Sequence, residues 1–271
     1  MRFARFQSKD GSIRHGIVEG DAIAVIAGDL LGSRQRTGEG VRLSDVRLLA
    51  PIIPPNLIAI GRNYLAHAQE GNDDAPKAPI VFIKTTSAIT DPGAAILVPA
   101  MAPNEVDYEA ELAVVIAKTA RDVSEAQALD HVLGYTCAND VSARDCQRND
   151  AQWARGKCFD GFAPLGPWIE TELDPTTARV RLILNGETMQ DASSALMIFS
   201  VRHLISYLSR CMTLLPGTVI LTGTPAGCGF ARKPPVWLKP GDRVSVAIDG
   251  IGELTNTVAA ATARAAHQGA F

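Results

Sequence analysis

Apolar residues along this chain cluster in short runs rather than long stripes. FARFQ (3–7), IRHGIVEG (13–20) and AIAVIA (22–27) have strand length, and Lys9-Asp10-Gly11-Ser12 and Glu19-Gly20 supply the reversals between them. A small β-rich N-terminal domain over residues 1–50 is expected. It ends at PIIPP (51–55), where three prolines in five positions continue neither a helix nor a central strand, and a larger domain over 51–271 follows.

Beyond the prolines, LIAIG, PIVFIK and AILVP read as strands, and NYLAHAQEG as a helical turn or two closing at Gly71. SEAQALDHVLGY places Ala126, Leu129, Val132 and Leu133 on one helical face after Ser124 as cap, which predicts an amphipathic helix. SVRHLISYLSR reads the same way, capped by Ser200. Asn185-Gly186 and Asp249-Gly250 each sit between runs of strand character and predict hairpins. Strands outnumber helices and are mostly joined by turns, so the expected fold is α+β and sheet-rich. The Ala-rich tail after Val258 is expected to pack loosely.

Composition narrows the function classes. The 271 residues are 46% hydrophobic and 20% charged with a net charge of −3, which offers no global basic field for nucleic acid. No apolar run approaches the roughly 20 residues of a membrane span, and the N-terminus has no signal-like apolar core, so a cytoplasmic protein is expected. The five cysteines are odd in number and form no C-x-x-C pair, which fits plain reduced thiols.

The candidate chemistry lies in VDYEAELAVVI (106–116). In a strand Asp107, Glu109 and Glu111 share one side, while Leu112 to Ile116 are apolar at both parities, as in a strand covered on both faces. Like charges approaching a buried interior need a proton or a cation between them. Alone, the pair favours an exposed edge strand whose acids keep it soluble. A third carboxylate shifts the balance toward a hard, oxygen-bound ion such as Mg²⁺ or Mn²⁺, and Asp140 in CANDVSARD is the candidate.

Several segments together resemble the fumarylacetoacetate hydrolase family, including its acylpyruvate hydrolase members: IGRNYLAHAQE, PIVFIK, DYEAELAVVI, GYTCANDVSARDCQ, RGKCFDGFAPLGPW, LNGE and ILTGTPAGCG. They occur in family order. The resemblance implies a fumarylacetoacetase-type sheet-rich catalytic domain and Mg²⁺ or Mn²⁺ held by Glu109, Glu111 and Asp140. It implies a catalytic His67–Glu70 pair with Lys157, and substrate contacts from Arg62, Tyr64, Gln147 and Thr224. Asp107 is not a usual ligand of the family and is expected beside the ligands or at the surface. Cys158 stands where members often have Ser. TPAGCGF lacks the Lys-Ser/Thr of a phosphate loop and reads as a tight turn presenting Thr224.

The implied activity is cleavage of a carbon–carbon bond in a 2,4-dioxo acid, such as fumarylpyruvate or a diketo-deoxy sugar acid, to pyruvate and a carboxylic acid. Decarboxylation of a 2-oxo acid, isomerisation of a 2-hydroxydiene-dioate and ureidoglycolate lyase chemistry are the alternatives, with a non-catalytic binding protein behind them. The polar segment 62–78 is expected to act as a lid. A homodimer is implied, with a small 2-oxo acid as partner.

Overall fold

The computed structural model describes residues 1–261, so the tail expectation from residue 262 onward lies outside the described residues. Residues 259–260 do not hang loose: they end the strand Gly252–Ala260, which pairs in parallel with Ala95–Val98.

Among the described residues the main sheet has 12 strands. Its N-terminal part is an antiparallel run of Arg2–Gln7, Ile13–Glu19, Ala22–Gly28 and Arg34–Arg42. Arg2–Gln7 continues it by pairing with Ala163–Glu170. Then follow Val132–Asn139, Ala110–Ile116, Val219–Leu221, Leu57–Gly61 and Ile80–Lys84. Ala110–Ile116 is buried at every residue, as expected of a strand apolar on both faces. A second sheet of five strands carries both predicted hairpins, Arg179–Leu184 with Glu187–Ser193 and Arg243–Ile248 with Gly252–Ala260. The fold is thus α+β and sheet-rich.

The helices are few. Val201–Cys211 forms as its pattern predicts, with Ser200 Oγ accepting from the His203 backbone N–H at 3.2 Å. Leu65–Glu70 forms and closes at Gly71. No helix among the described residues is long and apolar enough to cross a membrane.

The helix expected over SEAQALDHVLGY does not form. Val132–Asn139 is instead a strand beside Ala110–Ile116, which leaves only the 3₁₀ turn Ala128–His131. Ser124 Oγ donates to Gln127 Oε1 rather than capping. The long-range pairing that covers Ala110–Ile116 outweighs the local helical pattern.

Candidate active site

Strand register builds the acidic cluster. Ala110 stands opposite Asn139, and just beyond the ladder the Asp140 N–H donates to the Glu109 carbonyl at 2.9 Å. Asn139 Oδ1 accepts from the Glu109 N–H at 3.0 Å. Two carboxylates 31 positions apart are thereby set side by side, with Glu111 one pleat further on. Ligand oxygens of Glu109, Glu111 and Asp140 all lie within 4.8 Å of one another, and the three residues are buried.

Three buried cations surround them. Lys157, on the turn Ala154–Lys157, donates from Nζ to Glu109 Oε2 and Asp140 Oδ2, each at 2.7 Å. Lys84, which closes the strand Ile80–Lys84, reaches Asp140 Oδ1 at 2.5 Å. Arg144, opening the helix Arg144–Asn149, places Nη1 2.7 Å from Glu109 Oε1 and donates from Nε to Asp107 Oδ2 at 2.9 Å. Asp107 is fully buried, so the surface placement does not hold. Besides Arg144 it accepts from the Gly229 and Phe230 N–H groups at 2.8 and 3.2 Å.

The electrostatics are uneven. Burial alone would raise the Glu109 carboxyl, but Lys157, Arg144 and His67 outweigh it and hold the group below its ordinary value. Glu111 is pushed well above its ordinary value by burial and by Asp140 and Glu109. It accepts from the Gly223 N–H at 2.7 Å. Burial lowers Lys84 despite Asp140, whereas Asp140 and Glu109 outweigh burial to raise Lys157. Four buried carboxylates, Asp107 included, face three buried cations, so full ionisation would leave one negative charge over, and without a further cation Glu111 meets that excess by holding its proton more tightly. An oxygen-only triad of this kind fits a hard divalent ion, which would sit among Glu109, Glu111 and Asp140.

Next to the triad, Leu65–Glu70 carries His67 and Glu70 on adjacent turns. His67 Nδ1 lies 3.4 Å from Glu70 Oε2, and Glu70 Oε1 accepts from the Gly227 N–H at 2.7 Å. Cys228 Sγ lies 3.7 Å from the same His67 nitrogen.

These groups open onto one cavity of about 530 Å³. Arg62, His67, Glu70, Glu109, Glu111, Gln147, Lys157 and Thr224 all line it, so eight of the ten residues singled out in the sequence share a wall. Asp140 sits behind that wall, bonded to Lys157 and Lys84. Tyr64 is also behind it, with a buried hydroxyl that has no partner among the described residues. Thr224 Oγ1 is already engaged, donating to the Ala110 carbonyl at 2.9 Å and accepting from Gln190 Nε2 at 2.8 Å. Arg62, at a φ of 56°, pairs with Asp73 at 2.8 Å across the mouth of the cavity.

Sequence reasoning gave no role to Arg144, Lys84 or Gln190. Arg144 lines the cavity, and its Nη2 is buried without a partner among the described residues. Lys84 carried a signal, a charged residue ending an otherwise apolar strand. Gln190 bridges the second sheet to the Thr224–Pro225 turn and carried none.

A sheet-rich fold enclosing a buried carboxylate triad beside a histidine–glutamate pair defines an enzyme class able to carry a divalent ion. The chain belongs to the fumarylacetoacetate hydrolase family: the model of the fumarylacetoacetate hydrolase C-terminal domain matches residues 56–259. A second model, Rv2993c-like N-terminal, matches residues 1–51. The chain is 47% identical over 221 residues to the mitochondrial oxaloacetate tautomerase of Xenopus laevis, covering 79% of this chain and 69% of that protein. It is similar in structure to a 5-carboxymethyl-2-hydroxymuconate delta-isomerase from Mycobacterium smegmatis, with a TM-score of 0.87, 44% identity and coverage of 96% and 100%. A fumarylacetoacetate hydrolase from Exiguobacterium antarcticum gives a TM-score of 0.87 at 41% identity, with the same coverage.

Proposed function

We propose that this protein interconverts keto and enol forms of a small 2-oxo acid, with Glu109, Glu111 and Asp140 holding Mg²⁺ or Mn²⁺ and His67 moving the proton. The observation that carries the reading is the opening of Glu109 and Glu111, with Asp140 directly behind them, and of the His67–Glu70 pair onto one cavity wall. The tautomerase and isomerase relatives support it, since their named reactions share proton transfer beside an oxo group.

A divalent ion on the triad would polarise the oxo group and stabilise developing enolate charge. Glu70, fixed by the Gly227 N–H, holds His67 Nδ1 and leaves Nε2 to take and return the proton. Arg144 presents Nη2, otherwise unpartnered, to the substrate carboxylate. Gln147, whose Oε1 accepts from Arg144 at 2.9 Å, orients that guanidinium, and Lys157 clamps Glu109 and Asp140 together through one ammonium group. Arg62 guards the mouth, and the Thr224 hydroxyl and Tyr64 shape the wall and its backing.

Hydrolysis of a 2,4-dioxo acid is the second reading, and the size of the cavity favours it. About 530 Å³ exceeds what a four-carbon diacid fills and leaves room for an acyl group and a water. In that case His67 would take the proton of the attacking water. The working unit in either case is a homodimer, which a light-scattering mass near the single-chain value would contradict.

Ultraviolet decay of enol-oxaloacetate and of acylpyruvates, each with Mg²⁺ and with EDTA, tests both readings. Pyruvate release distinguishes hydrolysis. No metal-dependent change with any 2-oxo acid would overturn them together.

A further inference from the structure

His67, Glu70 and Cys228 bring one nitrogen, one oxygen and one sulfur ligand atom within 4.8 Å of one another. We propose that they form a second metal site, for a borderline-soft divalent ion such as Zn²⁺, and that filling it inhibits the enzyme by taking the His67–Glu70 pair out of use. The inhibitory half rests on the acid–base reading above; the binding half does not.

The geometry matches zinc closely. Zn–N and Zn–O bonds of about 2.0 Å and a Zn–S bond of about 2.3 Å, at tetrahedral angles, put nitrogen and sulfur about 3.6 Å apart and nitrogen and oxygen about 3.3 Å apart. His67 Nδ1 lies 3.7 Å from Cys228 Sγ and 3.4 Å from Glu70 Oε2. No large rearrangement is needed along either edge.

The surroundings suit a bound ion. Glu70 Oε1 is held by the Gly227 N–H, which aims the other oxygen toward the site. Burial and the nearby Asp107 and Glu109 raise the Cys228 thiol above its ordinary value, so the ion itself must displace the thiol proton; Gln190 Nε2 lies 3.6 Å from Sγ. His67 and Glu70 line the cavity, so a water or a small ligand can take the fourth position. Binding forms a Zn–S bond and releases the thiol proton to solvent, and one thiolate and one carboxylate then neutralise the ion.

Donor chemistry keeps the two sites apart. The Glu109–Glu111–Asp140 triad offers oxygen alone and suits Mg²⁺ or Mn²⁺, whereas imidazole with thiolate selects zinc or cobalt. Cys228 itself touches none of the three triad carboxylates through any hydrogen bond, so removing its thiol spares the first site.

The test uses the full chain with saturating Mg²⁺, and Co²⁺ as the optical stand-in for zinc. The wild type is expected to show a thiolate-to-cobalt charge-transfer band that Zn²⁺ displaces, and Mg²⁺-dependent turnover that Zn²⁺ inhibits. Cys228→Ala and Cys228→Val, two thiol-free variants so that one misfolded protein does not end the test, should lose the band and bind Zn²⁺ at least about tenfold more weakly. Their basal turnover should remain and should resist zinc. Absence of the band in the wild type, or equal Zn²⁺ affinity in a folded variant, overturns the site. A band without inhibition overturns the inhibitory half and, with it, the acid–base role of His67 and Glu70, while the binding half stands.

Discussion

Arg144 donates from Nε to Asp107 Oδ2 at 2.9 Å, with both side chains buried. The same guanidinium holds Glu109, so Asp107 fixes a cation that the acidic cluster depends on. It also gathers the Gly229 and Phe230 N–H groups, tying the turn after Cys228 to the floor of the site.

Asp107→Asn keeps the shape and removes the charge. Breaking a buried ion pair on one side costs about 3 to 5 kcal/mol, because the remaining charge stays desolvated. Urea unfolding is expected to show a loss of about 3 kcal/mol, offset in part by the Glu109 pairing that Arg144 retains. A loss under about 1 kcal/mol would mean that the pair is not what anchors Arg144.

Much of this arrangement was legible in the sequence, for a physical reason. Leu57–Gly61 and Ile80–Lys84 are short apolar runs bounded by turn residues, too short for a buried helix, and they form strands. Arg34–Arg42 was not legible, because RQRTGEGVR is almost wholly exposed and carries no apolar period. Val132 to Tyr135 were misread as the end of a helix because their strand partners, Val114 to Ile116, do not show in the local pattern of SEAQALDHVLGY. Within the site the E-x-E pair was visible and Lys157 was named with it, but Arg144 and Lys84 were not. Which lysine meets which carboxylate follows from the packing of Ile80–Lys84 and Ala154–Lys157 against the cluster, and no spacing encodes that.

Metal and proton should compete at Glu111. Its carboxyl is raised well above 4.5 by burial, Asp140 and Glu109, so between 4.5 and the raised value the folded chain binds more protons than the unfolded one. Metal-free stability therefore falls as pH rises through that window. Glu109, depressed on folding, contributes stability that is complete above 4.5 and lost only below it. An ion that holds Glu111 ionised cancels the first effect. The rise in Tm on adding Mg²⁺ is expected to be small near about pH 5 and larger by about 4 °C or more near about pH 8, and Glu111→Gln should flatten the difference. Equal rises at both pH values would show that Glu111 does not take part.

Removing the base should separate proton transfer from metal binding. His67→Ala is expected to lower turnover about 10² to 10⁴-fold while calorimetric Mg²⁺ affinity stays within about twofold. Glu70→Gln should cost about tenfold, since an amide oxygen still accepts from the Gly227 N–H but no longer carries the charge beside the ring. Turnover that survives His67→Ala would point to chemistry driven by the ion alone, such as decarboxylation.

Gly227 supplies the N–H that fixes Glu70, and its backbone admits no side chain. Its φ is +108°, and a Cβ there would stand 2.1 Å from the Met189 carbonyl oxygen and 3.1 Å from its carbon. Both contacts are backbone in the strand Glu187–Ser193, so an alanine must push the turn away from the second sheet and take the N–H with it. Gly227→Ala is expected to cost about 3 kcal/mol or more in unfolding free energy and to lower turnover at least as far as Glu70→Gln. Gly11→Ala is the matched control: it has a φ of +85° with open space around the Cβ, and lies in the Asp10–Gly11 turn far from the cavity. It should cost about 1 kcal/mol through backbone strain alone and leave turnover unchanged. If both glycine variants lost the same stability and kept full turnover, the close approach at Met189 would carry no functional weight and Glu70 would need another anchor.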